Sequence, residues 1–107
     1  IKDVVKTGGE WVSSLDIEDI ILRVPGIAEA AVIGVPDEKW GEVPKAFVTL
    51  RPGRTATEAE IVQYCREHLA HFKCPKKVEF GPLPKTSTGK IQKPVLRERA
   101  RSASAIE

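Results

Sequence analysis

The sequence predicts an α+β domain: a small, mostly antiparallel sheet flanked by helices, with an N-terminal β-hairpin. Three observations predict it. Short β-favouring runs alternate with helical-period segments, yet the long regular crossovers of a doubly wound sheet are missing. A glycine pair, Gly8-Gly9, separates the first two such runs, which is the composition of a primed hairpin turn. With 107 residues, 41% hydrophobic and 30% charged, the chain has the size of one compact domain and the composition of a folded one.

The hairpin pairs Asp3-Val4-Val5-Lys6 with Glu10-Trp11-Val12 across a turn that needs residues tolerant of positive φ. Ser14 offers an N-cap to a helix carrying Ile17, Ile20, Ile21 and Val24 at helical spacing, with Asp16 and Glu18 in its first turn to suit the dipole. Pro25-Gly26 stops that helix. Ala30 to Val35 is an apolar run that reads as a buried strand ended by Pro36-Asp37, and Lys45 to Arg51 reads as the next, closing on Arg51-Pro52-Gly53-Arg54. Thr57 and Glu60 are spaced as a capping box. They open a helix with Ile61, Cys65, Leu69 and Phe72 along one face, ended by Pro75. Lys77 to Phe80 is a short strand, and a last helix starts at Pro94, a good first-turn residue. The tail from Ser102 to Ala105 has nothing to bury and is expected to fray.

No apolar run approaches the roughly 20 residues of a membrane span, so no stable membrane insertion is expected. Two cysteines are too few for a disulfide framework, and a reducing, cytoplasmic setting is the simpler reading. The chain starts at Ile1, without Met and directly in a patterned segment, which reads as a piece of something longer. Charge is lopsided. Residues 1–71 carry eight Lys/Arg against twelve Asp/Glu, and residues 72–107 carry nine against three, so a net −4 faces a net +6. A basic C-terminal third fits an anionic partner, whether nucleic acid or a phosphorylated small molecule, or simply a solvated basic surface.

The segment Thr86-Ser87-Thr88-Gly89-Lys90 gathers hydroxyls, a glycine and an ammonium in one loop, which lets backbone approach a phosphate or carboxylate and supplies a compact charge. It is not a Walker A loop: Pro84 stands where that motif needs its first glycine, and Ile91 where it needs Ser or Thr. Read alone, it is more simply an ordinary polar turn with an exposed lysine.

Four segments stand in order along the chain: residues 3–10 (DVVKTGGE), 29–37 (EAAVIGVPD), 40–42 (WGE) and 84–93 (PKTSTGKIQK). Together they resemble the C-terminal domain of the acyl-CoA synthetase, adenylation-domain and luciferase superfamily, from Ile1 to about Arg97. The resemblance implies an AMP-forming ligase that works in two steps. A carboxylate, a fatty acid on this reading, attacks the α-phosphate of ATP to give acyl-AMP and pyrophosphate; the CoA thiol then displaces AMP. It implies a mobile C-terminal lid that presents a different face to a large N-terminal adenylation domain in each step. Lys90 matches the adenylation lysine, beside Gly89, where an ammonium would offset crowded negative charge between carboxylate and phosphate. Gly8, Gly9 and Glu10 match the loop that enters the active site for thioester formation. Trp40 matches an aromatic near CoA in some relatives, and is equally a partly buried core aromatic. Phe72 aligns with another CoA-contacting aromatic, yet also completes a core face. Where one relative places an Arg for CoA this chain has Cys74, leaving Lys73, Lys76 and Lys77 as candidate phosphate contacts. The magnesium would be bound through ATP and the N-terminal domain. That domain and the hinge lie outside this sequence, so the chain alone is expected to be inactive. Gly8-Gly9-Glu10-Trp11 followed by Val12-Ser13-Ser14 resembles the branch acting on medium- and long-chain fatty acids.

Three other readings compete; one, a domain retained only for protein contact with its catalysis lost, is opposed by the intact Gly89-Lys90 pair. Cys65, His68, His71 and Cys74 are spaced by threes, but on one helix Cys74 would face away from Cys65, so they converge on an ion only if the helix breaks midway. A basic nucleic-acid-binding module using Lys85 to Arg101 would explain the charge, but there is no aromatic after Phe80 to stack on bases and no reading motif.

Overall fold

The computed structural model describes the backbone of residues 4–106 and the side chains of residues 4–71 and 73–102. Nine segments follow in order: β1 (Val4–Thr7), β2 (Glu10–Ser13), α1 (Ser14–Ile21), β3 (Ile27–Asp37), β4 (Gly41–Leu50), α2 (Glu58–His68), a 3-10 turn (His71–Lys73), β5 (Lys77–Phe80) and α3 (Lys93–Ile106). The strands form one sheet in the order β2-β1-β4-β3, and β5 pairs with β4 as the single parallel neighbour. The fold is the α+β arrangement the sequence predicts.

The apolar run at Ala30–Ile33 is unbroken because both faces of the sheet are covered. Ala30 and Val32 of β3, with Ala46 and Val48 of β4, join Ile17 and Ile21 of α1 and Ile61 and Cys65 of α2 in the larger core. Ala31, Ile33 and Phe47 face the other way and pack with Leu83, and with Leu96 and Ala100 of α3. A strand side chain alternates faces at every residue, so two helical layers need apolar residues at consecutive positions.

The hairpin forms where expected. Gly8 and Gly9 both take positive φ, +58° and +87°, which a primed turn requires and a Cβ would penalise. Asp3 of the expected first strand lies outside the described residues.

Several boundaries differ from expectation. Ser13, not Ser14, caps α1: it is extended and its hydroxyl accepts from the Asp16 amide, while Ser14 is buried. Glu18 lies past the first turn and serves elsewhere, as described below. β3 continues through Pro36-Asp37, since it is the edge strand and has a side where a missing N–H costs no ladder bond. β4 begins at Gly41 and ends at Leu50. α2 opens on the full capping box of Thr57 and Glu60 but ends at His68, well before Pro75. Leu69 turns extended there, and the chain doubles back so that Cys74 reaches the core beside α2. α3 starts one residue ahead of Pro94 and its backbone runs on through residues 102–105; Arg101 pairs with Glu98 one turn back.

Candidate functional site

The sequence-selected residues fall into two groups. The first surrounds the hairpin turn. Gly8 donates its amide to the Trp40 carbonyl at 2.8 Å, and Thr7 pairs with Gly41. The Trp40 indole covers Gly8 so closely that a Cβ there would meet Cε3 at 2.8 Å. Trp40 itself is 40% exposed, with the Lys39 ammonium 5.1 Å from its ring centroid, so it is a surface aromatic resting on the turn and not a core one. Asp37 fixes that corner by accepting the amides of Lys39 and Trp40. Gly9 and Glu10 stand exposed at the tip.

Beside Trp40 opens a cleft of about 390 Å³ whose walls include Val35, Asp37, Lys45, Lys76 and Lys77. Lys76 and Lys77 therefore share a wall with the indole, whereas Lys73, half-buried in the 3-10 turn, does not line this cleft. Phe72 lies in the same turn, and its side chain is outside the described residues.

The second group is the loop of Lys90. Lys85 and Ile91 form an antiparallel bridge, Thr86 and Lys90 are linked by the Thr86 amide to the Lys90 carbonyl at 2.8 Å, and Gly89 donates to the Thr86 carbonyl at 2.9 Å. Gly89 takes φ +87°, the left-handed residue that completes a bulged hairpin turn. The hydroxyls act on the loop itself: Thr86 Oγ1 accepts the Lys90 amide and lies 2.9 Å from Thr88 Oγ1. Both ends of this small hairpin are tied down. Lys85 pairs with Glu29 at 2.5 Å, and Lys93 with Glu18 at 2.6 Å. The same Glu18 carboxylate oxygen accepts the Val32 amide, so a largely buried acid joins α1, β3 and the start of α3. Lys90 is exposed at the hairpin's end, and among the described residues no side chain pairs with its ammonium.

The structure does not bring the two groups together. Glu29, which anchors the base of the Lys90 loop, is near the start of β3, while the turn after Asp37, at its far end, holds Trp40 and Gly8. Eight residues of strand separate Glu29 from Asp37, about 26 Å at the usual rise.

The rival sites fare differently. The break after His68 that a four-ligand metal site would need does occur, but His68 Nδ1 sits 2.9 Å from the Tyr64 carbonyl and its ring stacks on Tyr64. His71 is exposed, both thiols are free and buried, and among the described residues no cluster of three or more His, Cys, Asp or Glu is placed to hold an ion. The basic stretch 85–101 is substantially neutralised: Lys85, Lys93, Arg99 and Arg101 pair with Glu29, Glu18, Glu79 and Glu98. This leaves little of the continuous cationic track that a nucleic-acid backbone requires. No helix is long and apolar enough to cross a membrane among the described residues.

Sequence reasoning passed over Glu42 and Gly34, which lie inside the quoted segments but carry no expected role. Glu42 Oε1 accepts the Lys6 amide at 3.0 Å and lies against Gly34. Nothing in the one-dimensional pattern marks that contact, which three strands create.

Residues 16–90 match the family described as AMP-binding enzyme C-terminal domain. The chain is 54% identical over 106 residues to the 4-hydroxybutyrate–CoA ligase 2 of Metallosphaera sedula, covering 99% of this chain and 19% of that enzyme. It is 44% identical over 110 residues to a peroxisomal acetate/butyrate–CoA ligase of Arabidopsis thaliana, covering 98% of this chain and 19% of that one. Among solved structures, the Mycobacterium tuberculosis fatty acyl CoA synthetase superposes with a TM-score of 0.87 at 47% identity, over 94% of this chain and 20% of that chain. The chain thus spans about a fifth of the length of these relatives.

Proposed function

The chain belongs to the AMP-binding enzyme C-terminal domain family of acyl-CoA ligases, and from that premise we propose that it is the swinging lid of an enzyme that converts a fatty acid to its CoA thioester through acyl-AMP. The observation that carries the proposal is the state of Lys90: an exposed ammonium without a side-chain partner among the described residues, on a hairpin whose two ends are held by ion pairs to the sheet and to α1. A cation held so is placed to meet an outside anion without first breaking an internal pair.

In the first step the Lys90 ammonium, desolvated when the lid docks, stabilises the negative charge that builds between carboxylate and α-phosphate. Gly89 brings backbone close without a side chain in the way, and the Thr86 and Thr88 hydroxyls hold the loop's shape. Magnesium would be held by the ATP phosphates and the adenylation core, not by residues of this chain.

In the second step the opposite end of β3 faces the core. The Gly8-Gly9 turn, with Glu10 at its tip, lines the passage for the CoA thiol, while Trp40 and the lysines of its cleft, Lys76 and Lys77, meet the polyanionic end of CoA. Lys73 and Phe72, a few residues ahead of those lysines, are assigned to CoA on the resemblance alone. The partners are then the adenylation domain, the carboxylate, ATP and CoA. On this reading the acyl pocket and most of the ATP pocket belong to the adenylation domain, so the chain alone is expected to be inactive.

A fatty acid is chosen as substrate from the Gly8-Gly9-Glu10-Trp11 segment and from the 47% identity to a fatty acyl CoA synthetase; the other relatives' names, 4-hydroxybutyrate and acetate/butyrate, keep to aliphatic carboxylates. The compartment is the cytoplasm, on the strength of two free, buried thiols, although one relative is named as peroxisomal.

Half-reaction kinetics on the full-length enzyme test the reading. Lys90→Ala is expected to slow acyl-adenylate formation, followed by carboxylate-dependent ATP–pyrophosphate exchange, by about 10² to 10³. Thioester formation from supplied acyl-AMP should be spared. Equal damage to both halves would remove Lys90 from its role.

A further inference from the structure

Among the described residues, main-chain pairing between β1 and β4 amounts to the Thr7–Gly41 rung, with the Gly8 amide reaching the Trp40 carbonyl beyond it. In an antiparallel ladder the next rung would bond the Lys6 amide to the main chain of β4. Here that amide donates to the side chain of Glu42, at 3.0 Å from Oε1. The same oxygen lies where a Cβ on Gly34 would stand, at 2.8 Å, so the carboxylate fills a notch that exists because residue 34 has no side chain. One acid therefore spans β1, β4 and β3 immediately beside the hairpin tip.

We propose that Glu42 is a positioning residue for thioester formation: seated in the Gly34 notch, its carboxylate holds β1 against the sheet and so fixes where the Gly8-Gly9 turn projects. This rests on the proposed entry of that turn for the CoA step. The hairpin needs the brace because it is a two-stranded ribbon at the sheet margin, with β2 as an outer edge and little main-chain pairing to β4. Such a ribbon rocks about its few bonds, and a tip displaced by about an ångström loses much of its catalytic advantage. A carboxylate accepting an amide makes a charge-assisted bond, stronger than the neutral rung it replaces.

Glu42 touches neither carboxylate nor nucleotide in this assignment, so its loss should move one half-reaction and not the other. In the full-length enzyme, Glu42→Ala is expected to slow the reaction of supplied acyl-AMP with CoA by about ten-fold to a hundred-fold, the range for losing a hydrogen bond to a charged group. Pyrophosphate exchange should be unchanged. Glu42→Gln keeps an acceptor oxygen and should restore most of the rate. Gly34→Ala should reproduce Glu42→Ala, because its methyl would displace the flexible carboxylate more easily than the backbone. If Glu42→Ala does not fold, the Gln and Gly34→Ala variants make the same comparison.

A normal CoA step in both Glu42→Ala and Gly34→Ala, an equal fall in the two half-reactions, or a Gln variant as slow as Ala would each overturn the assignment. Gly9→Leu run in parallel separates the layers. If it slows the CoA step while Glu42→Ala does not, only the brace is wrong; if Gly9→Leu leaves that step unchanged, the entry of the turn is wrong and the brace falls with it.

Discussion

Cys65 has no exposed surface and lies on the core face of α2, in one cluster with Ile17 and Ile21 of α1. Burial, and then the nearby Cys74, push its thiol from 9.0 up to about 12; burial raises Cys74 as well, with Arg66 and Lys76 pulling it partway back. An acid whose folded pKa is raised keeps its proton while the unfolded chain gives its own up. Stability is therefore full below pH 9 and falls from about 9 towards 12, by at most about 1.4 kcal/mol per pH unit for one thiol. Denaturant melts at pH 7.5, 9 and 10 should show a decline that is shallower in Cys65→Ala; identical slopes would mean that the thiol ionises freely in the fold. The core placement of Cys65 was legible from its helical spacing, and the exposure of Lys90 from its polar loop. Glu42 was not, since its contacts come from strands 36 and eight residues away in sequence.

Elements were legible to the extent that their signals are local. The capping box of Thr57 and Glu60 specifies the start of α2 by itself, since each side chain satisfies the other's backbone amide. Thr57→Ala should cost about 1 kcal/mol, within the roughly 0.5–2 range for losing such a cap, and a thermal or denaturant melt of the domain would read it. A change well under that would mean that Glu58, whose carboxylate accepts the Val78 amide from β5, already holds the helix start. Helix ends were less legible because their causes are tertiary. Leu69 and Phe72 continue the apolar period of α2, and no glycine interrupts them. What stops the helix is the gain from returning Leu69 and Cys74 to the core and from launching β5 alongside β4. Ser13 and Ser14 pose the converse problem: two adjacent serines offer equal caps, and burial of the second decides between them.

At the scale of the whole domain, β3 is a spacer whose two ends carry different equipment. The Lys90 hairpin is anchored at Glu29, and the Gly8-Gly9 turn rests on the corner after Asp37. The sequence supplied both sets of residues, but not their separation, because residues 8, 40 and 90 acquire a common frame only when β1 and β4 pair and Lys85 finds Glu29. A spacing of about 26 Å along the strand is far beyond the reach of a shared side-chain contact. Perturbations at the two ends should then be independent. For the isolated domain, the stability changes of Lys90→Ala and Gly9→Leu should sum in the double variant to within about 0.5 kcal/mol, as for distant sites without shared partners. In the full-length enzyme each should leave its mark on one half-reaction, adenylation for Lys90→Ala and thioester formation for Gly9→Leu, with the double variant showing both defects at their single-variant size. A coupling energy clearly beyond that margin, or a double variant whose adenylation is far slower than that of Lys90→Ala alone, would mean that β3 transmits strain between its ends.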